Sequence, residues 1–228
     1  MLRVTSSYAS FTDTDKPGSV GRFDADALLA TSAALCGGAV SLVAVDMPLA
    51  HSSIVGRRVA DNSISAAYGS RQASTHTPSA VRPGTISEDV RLGFAAHGYP
   101  LLTQAPVQHG LIEVYPHPAL IELTGAPQRL PYKEGKVRKY WPDLTMLQRR
   151  TRLLEEWAAI AQHLESRVTG VVEALGSIEP TSSRRALKAY EDAIDAVVCA
   201  WVGISALNGR AVPFGDDDAA TWVPEPRA

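Results

Sequence analysis

The sequence has few of the features that mark secreted, membrane-spanning or disulfide-stabilised proteins. Only two cysteines occur in 228 residues, and Cys36 and Cys199 both lie in apolar surroundings without the spacing of a metal site. Such cysteines are typical of reduced, buried thiols in a cytoplasmic protein. The sequence has no run of 18 apolar residues and no basic leader followed by an apolar stretch. We therefore expect neither a membrane span nor a secretory signal.

The sequence also lacks an excess of basic charge. Twenty-two basic and 24 acidic residues give a formal net charge of -2. This balance argues against a protein coated in basic charge for duplex binding, although it leaves room for a local basic groove. With 45% hydrophobic residues, the chain suits one large domain or two small ones, and we expect a single domain over residues 1–228.

The stretch SLVAVDMPL, residues 41–49, organises our interpretation of the rest. Its apolar residues from Leu42 to Val45 do not alternate with polar ones, which predicts a buried central strand of a parallel or mixed sheet. Asp46 follows at the carboxyl end of this strand, where open α/β sheets bind their ligands. A turn or helix-cap acid before Pro48 explains the same residue equally well.

Further carboxylates occupy positions where a solvated acid is unusual. Glu113 lies among the apolar residues of GLIEVY, and burying it requires a metal, an arginine or a lysine as partner. Asp192 and Asp195 lie one turn apart on a predicted last helix over residues 182–202 and can point the same way. Asp61, on a predicted helix over residues 57–68, either forms a solvated i,i+4 pair with Arg57 or faces Asp46.

Two irregular segments carry hydroxyl, basic and aromatic side chains. Residues 69–84 are rich in Ser, Thr and Pro and predict a long loop. Residues 130–143 interleave basic with aromatic residues, as in sites for phosphates or single strands, and predict a second loop. A solvated lysine-rich surface explains this second segment as well. The basic candidates for contact with a phosphate are Arg58, Arg71, Lys133 and Lys136.

The order of the predicted elements indicates an α/β fold. A polar-interleaved strand over residues 2–11 precedes a helix over residues 24–35, which Asp24 caps, and the buried strand follows. Amphipathic helices are predicted from Thr85 and over residues 144–164.

Several of these motifs resemble one known family. VAVDMPL, GRRVADNSISAAYGSRQASTHTP, LIEVYPHPALIEL and EDAIDAVVCA resemble successive motifs of the domain-of-unknown-function family 429, which is predicted to be a nuclease of the RNase H-like superfamily. The resemblance covers roughly residues 40–220. It implies an RNase H-like mixed sheet flanked by helices, a Mg²⁺ or Mn²⁺ cofactor, and DNA or RNA as the partner of a cytoplasmic protein.

The resemblance also implies roles for the acids. Asp46 matches the acid of the fourth strand and Asp195 the acid of the final helix, while Asp61, Glu113 and Asp192 match further acidic positions. The expected metal ligands are these five residues, with Asp46, Glu113 and Asp195 as the catalytic set. Two metal ions about 4 Å apart would clamp the phosphodiester, so we expect these three carboxyl groups to converge.

The chain departs from the family at its amino end. The resemblance implies an opening strand with a glycine-flanked Asp, whereas Asp13 and Asp15 lie in a Pro/Gly-containing stretch that suits this role poorly. We therefore expect that the usual first strand is missing and that the reading frame continues upstream. The alternatives to a nuclease are a non-catalytic metal- or nucleic-acid-binding protein on the same fold and an actin-like phosphotransferase. The last is disfavoured because no glycine-rich phosphate loop follows the first strand.

Overall fold

The computed structural model describes residues 23–226, which form a four-stranded mixed sheet flanked by helices. This mixed α/β architecture is compatible with an RNase H-like fold. The strands are β1 (Leu42–Val45), β2 (Gly110–Val114), β3 (Ala211–Gly215) and β4 (Ala220–Pro224), in the order β1-β2-β4-β3. The first three of this order are parallel, and β3 pairs antiparallel with β4.

Eight α-helices of the described residues surround this sheet. They are α1 (Ala25–Cys36), α2 (Val59–Tyr68), α3 (Ile86–Ala96), α4 (Pro116–Thr124), α5 (Val137–Tyr140), α6 (Met146–Glu165), α7 (Val171–Leu175) and α8 (Arg184–Leu207). A 3-10 turn at Glu134–Lys136 leads into α5. In the part of the chain that the structure describes, none of the helices combines the length and apolar character that a bilayer span needs.

Local signals explain where the helices begin and end. The Asp24 side chain accepts a hydrogen bond from the Ala27 backbone N–H at the start of α1, and Gly37 ends that helix at φ 70°. Thr145 and Gln148 form a reciprocal capping box at the start of α6. The predicted helices are thus confirmed, with ends that differ by a few residues.

Alternation along the strands divides the core between the two faces of the sheet. Leu42 and Ala44 pack on one face against the main core, which α4, α6 and α8 cover. Val43 and Val45 pack on the other face, in a smaller core with α1 and α3. The uninterrupted apolar run of β1 therefore reflects helices on both sides of the sheet.

The position of β1 corrects one prediction. Within residues 23–226, β1 pairs only with β2, at an edge of the described sheet, and its four residues are half-buried. The internal strands are β2 and β4, and all the residues of both are buried. The predicted strand over residues 2–11, Asp13 and Asp15 lie outside the described residues.

Two further predictions need correction. Cys36 is exposed at the end of α1, whereas Cys199 is buried in α8 as predicted. Residues 130–143 are not a plain loop, because they contain the 3-10 turn and α5. Residues 69–84 do connect two helices without a helix or strand of their own.

Candidate metal centre

Helix α8 lies directly over strand β1, and this contact positions the first pair of acids. A Cβ on Gly203 would lie 3.5 Å from the Ala44 Cβ, an ordinary contact distance, so α8 packs closely on β1 at this position. Asp195 lies eight residues earlier, about 12 Å along the helix. Asp46 continues the side of β1 that faces α8, and its carboxyl group lies close enough to Asp195 for the charge of Asp195 to raise its pKa.

The Asp46 carboxyl is open to solvent and yet strongly perturbed. The surrounding protein removes part of its hydration, and the nearby charge of Asp195 adds repulsion, so the pKa of Asp46 is raised to about 7. The ion pairs of the described residues do not include Asp46. Asp46 can therefore hold a proton near neutral pH or offer its oxygens to a cation.

Asp195 is buried and firmly held. The Tyr132 hydroxyl donates a hydrogen bond of 2.7 Å to one of its oxygens, and the Lys133 ammonium donates one of 2.5 Å to the other. Burial raises the pKa of Asp195, while Lys133 and the bond from Tyr132 act against this rise. Burial would lower the pKa of Lys133, but the charge of Asp195 and its hydrogen bond raise it. Lys133 therefore remains a cation beside Asp195.

Two more acids of α8 complete the cluster. Carboxylate oxygens of Glu191, Asp192 and Asp195 all lie within 4.8 Å of one another. The predicted alignment of Asp192 with Asp195 is confirmed. Sequence reasoning missed Glu191, although its place four residues before Asp195 puts it on the same side of the helix. Lys188 reaches this group and bonds Glu191 at 2.9 Å and also Asp192.

Glu113 lies in a different network. Its Cα partner across the ladder is Val45, so Glu113 faces the side of the sheet opposite to that continued by Asp46. Its two carboxylate oxygens accept bonds of 2.5 and 2.9 Å from Arg58, and the Thr221 hydroxyl and the Leu49 N–H also donate to them. The sequence required a metal, an arginine or a lysine beside Glu113, and the structure places an arginine there.

Asp61 belongs to this second network. Its side chain is 2% exposed and pairs with Arg58 at 2.9 Å. The predicted Arg57–Asp61 ion pair is wrong, because Arg57 donates to the backbone carbonyl of Asp61 rather than to its carboxylate. Burial would lower the pKa of Arg58, but hydrogen bonds to Glu113 and Asp61 raise it above its usual value. The guanidinium of Arg58 is thus engaged between two acids.

The other basic residues predicted to contact a phosphate differ in whether their charged groups are already engaged by the protein. Arg71 pairs with Glu122 at 2.7 Å and also donates to the carbonyl oxygen of Ala126, so its guanidinium is engaged as well. Lys136 is half-buried and lines a surface depression that also reaches Lys133. The structure thus places Lys133 and Lys136 beside the acids of α8, and Arg58 and Arg71 elsewhere.

Comparison with protein families matches residues 14–220 to the family described as "Protein of unknown function (DUF429)". The chain belongs to this family. No curated protein and no solved structure matches it. The DUF429 match covers Asp46, Asp61, Glu113, Glu191, Asp192 and Asp195.

The acids around Asp195 have the chemistry of a site for a hard divalent cation. Asp46, Glu191, Asp192 and Asp195 offer only carboxylate oxygens, which Mg²⁺ and Mn²⁺ prefer. Two ammonium groups, those of Lys133 and Lys188, now balance part of this negative charge. In this DUF429 chain, a partly buried acidic cluster is therefore compatible with a metal site.

Proposed function

We propose that this protein is a divalent-metal-dependent nuclease that hydrolyses phosphodiester bonds of DNA or RNA. The observation that carries the proposal is the group of Glu191, Asp192 and Asp195 on α8, with Asp46 at the end of β1 close enough for the charge of Asp195 to raise its pKa. The spacing of the three α8 acids, within 4.8 Å of one another, and the carboxylate oxygens that all four acids offer suit Mg²⁺ or Mn²⁺. Glu113 and Asp61, which are saturated by Arg58, have a structural role in this proposal.

The proposed chemistry assigns each group a task. A bound divalent cation would supply Lewis-acid stabilisation of the phosphodiester oxygens. Asp46, whose pKa is about 7, is placed to accept the proton of an attacking water at its carboxylate. Asp195 would help to hold the cation, and Lys133, which is bonded to Asp195 in this structure, would then turn its ammonium towards a substrate phosphate.

A cleavage assay with matched variants tests this function. Labelled single-stranded, duplex and branched DNA and RNA are incubated with Mg²⁺, Mn²⁺ or EDTA. We expect metal-dependent cleavage that Asp195→Asn and Asp46→Asn each abolish. Asp89→Asn, the same change at an exposed position on α3, should retain full activity. Cleavage that survives Asp195→Asn would contradict the proposal.

One observation favours a second candidate, a non-catalytic binding protein. Lys133 and Lys188 already pair with three of the four acids, so part of the negative charge of the cluster is balanced without a metal. Titration calorimetry with Mn²⁺, taken together with the cleavage assay, separates the two functions. Metal binding without cleavage of any substrate in the panel would favour the second candidate.

A further inference from the structure

A basic depression lies beside the acidic cluster. It has a volume of about 700 Å³ and forms between the 3-10 turn region and the first turns of α8. Six basic and two acidic side chains line it, and these are Arg129, Lys133, Lys136, Arg184, Arg185, Lys188, Glu134 and Glu191. Because Lys133, Lys188 and Glu191 also belong to the acidic cluster, the two sites are continuous.

The basic residues of this depression differ in how far they are neutralised. Lys133 and Lys188 pair with acids of α8, and Arg184 pairs with Glu134 at 3.2 Å. Arg129, Lys136 and Arg185 form no ion pair with an acid in residues 23–226. Three cations thus line one depression without an ion-pair partner among residues 23–226.

The surplus of positive charge lowers the pKa of neighbouring basic groups. Burial and then the charges of Arg129, Lys139 and Lys133 lower the pKa of Lys136. The buried His117 is affected in the same way, since burial and then the same basic segment lower the pKa of its imidazole. Concentrated like charge of this kind is relieved when an anion binds.

We propose that this depression binds the phosphate backbone of a single nucleic-acid strand through Arg129, Lys136 and Arg185. The nature of the ligand rests on the proposed function, and phosphates held here lie next to the acidic cluster. The Lys133 side chain is only 19% exposed, so a phosphate reaches it from within the depression. A flexible strand can enter such a concave site, whereas the outer face of a duplex is convex and rigid. Basic grooves that follow the backbone are typical of single-strand sites.

Binding without turnover tests this inference. Fluorescence anisotropy is measured with a labelled thymidine oligonucleotide of about 12 nucleotides in EDTA, over a series of NaCl concentrations. Each phosphate contact with a single strand contributes a slope of about 0.7 to the logarithmic salt dependence. We therefore expect Arg129→Gln/Arg185→Gln to reduce the slope by about 1.4 and to weaken binding roughly 10-fold at low salt.

The chain offers a matched control. Arg210 is exposed beyond the opposite end of α8, so Arg210→Gln removes a charge without touching the depression and should leave the slope unchanged. Circular dichroism checks that all variants melt alike. Unchanged binding by the double variant, an equal loss in Arg210→Gln, or a duplex bound as tightly as the single strand would overturn the inference.

The two proposals can fail separately. Binding that depends on Arg129 and Arg185, without cleavage in Mn²⁺, upholds the single-strand site and contradicts the nuclease. Cleavage that depends on Asp195, with oligonucleotide binding unchanged in Arg129→Gln/Arg185→Gln, upholds the nuclease and overturns the single-strand site.

Discussion

At the scale of single residues, the face of the sheet on which a carboxylate lies determines which partners surround it. Asp46 and Glu113 end neighbouring parallel strands and differ by one residue in register, which is enough to point them to opposite faces. Glu113 meets Arg58, Thr221 and a backbone N–H. Asp46 lies near Asp195 instead, and burial and the charge of Asp195 raise the pKa of its carboxyl group. One carboxylate therefore stabilises the fold, and the other is available for chemistry.

The first prediction concerns the buried ion pairs of Arg58. Arg58→Met leaves Glu113 and Asp61 as unpaired buried acids, and we expect it to lower the free energy of unfolding by about 3–5 kcal/mol. Arg152→Gln, which breaks an exposed pair with Glu155, should lower it by less than about 1 kcal/mol. Urea denaturation at pH 7 measures both values. A similar loss in the two variants would contradict the structural role of Arg58.

The second prediction is a pH dependence from Asp46. In the folded protein its pKa is about 7 instead of 3.8, so between these values the folded state binds a proton that the unfolded chain has released. The contribution of Asp46 to the free energy of unfolding therefore decreases as pH rises through this window and is constant above it. Asp46→Asn should remove this decrease. Urea denaturation of the wild type and of Asp46→Asn from pH 4 to 8 measures this decrease. If the free energy of unfolding varies with pH in the same way in both proteins, the pKa of Asp46 is not raised.

The same proton competes with a metal. Because a carboxylate must lose its proton to bind a cation, the affinity for Mn²⁺ should rise with pH until about 7, by up to about tenfold per pH unit, and then level off. Titration calorimetry at several pH values follows this rise. An affinity that is independent of pH below 7 would exclude Asp46 as a ligand.

At the scale of elements, α8 is the part that assembles the site. It carries three of the four acids and also packs against β1, so its distance from the strand sets the separation of Asp195 and Asp46. A Cβ at Gly203 would already be in van der Waals contact with Ala44 and Leu42. A side chain larger than methyl at this position must push the helix away from the strand.

The third prediction tests this packing. A Cβ at position 203 meets ordinary contact distances of 3.5 and 3.6 Å, so Gly203→Ala should be tolerated and gain up to about 1 kcal/mol of stability from helix propensity. Gly203→Leu should lose about 1–3 kcal/mol through overpacking. It should also weaken Mn²⁺ binding, because Asp195 moves away from Asp46. Thermal melts and calorimetry compare the two variants. Equal affinity for Mn²⁺ in both would show that metal binding does not depend on the packing of Gly203 against β1.

At the scale of the whole molecule, the proposed metal links the sheet to the last helix, so its binding should stabilise the entire fold. Mn²⁺ at about 100 times its dissociation constant adds about 2.7 kcal/mol to the free energy of unfolding. For a protein of this size, that raises Tm by roughly 5–10 °C. Asp195→Asn should remove most of the rise and Asp89→Asn should keep it. An equal rise in Asp195→Asn would locate the metal elsewhere.

The sequence by itself determined the features that depend on neighbours along the chain. The caps at Asp24 and Thr145 and the apolar run of β1 follow from hydrogen bonds and periodicities a few residues long. The alignment of Asp192 with Asp195 follows from the pitch of one helix. These interactions predict the α/β class and most of the candidate acids.

Only the tertiary structure decided which of those acids share a site. Arg58 reaches Glu113 across 55 positions of the chain, and Lys133 reaches Asp195 across 62. No local period indicates that Arg58 rather than Arg57 turns inwards, or that lysines neutralise the acids of α8. Such pairings depend on which faces of distant elements pack together, because a buried charge takes whichever partner the packing brings within hydrogen-bond distance.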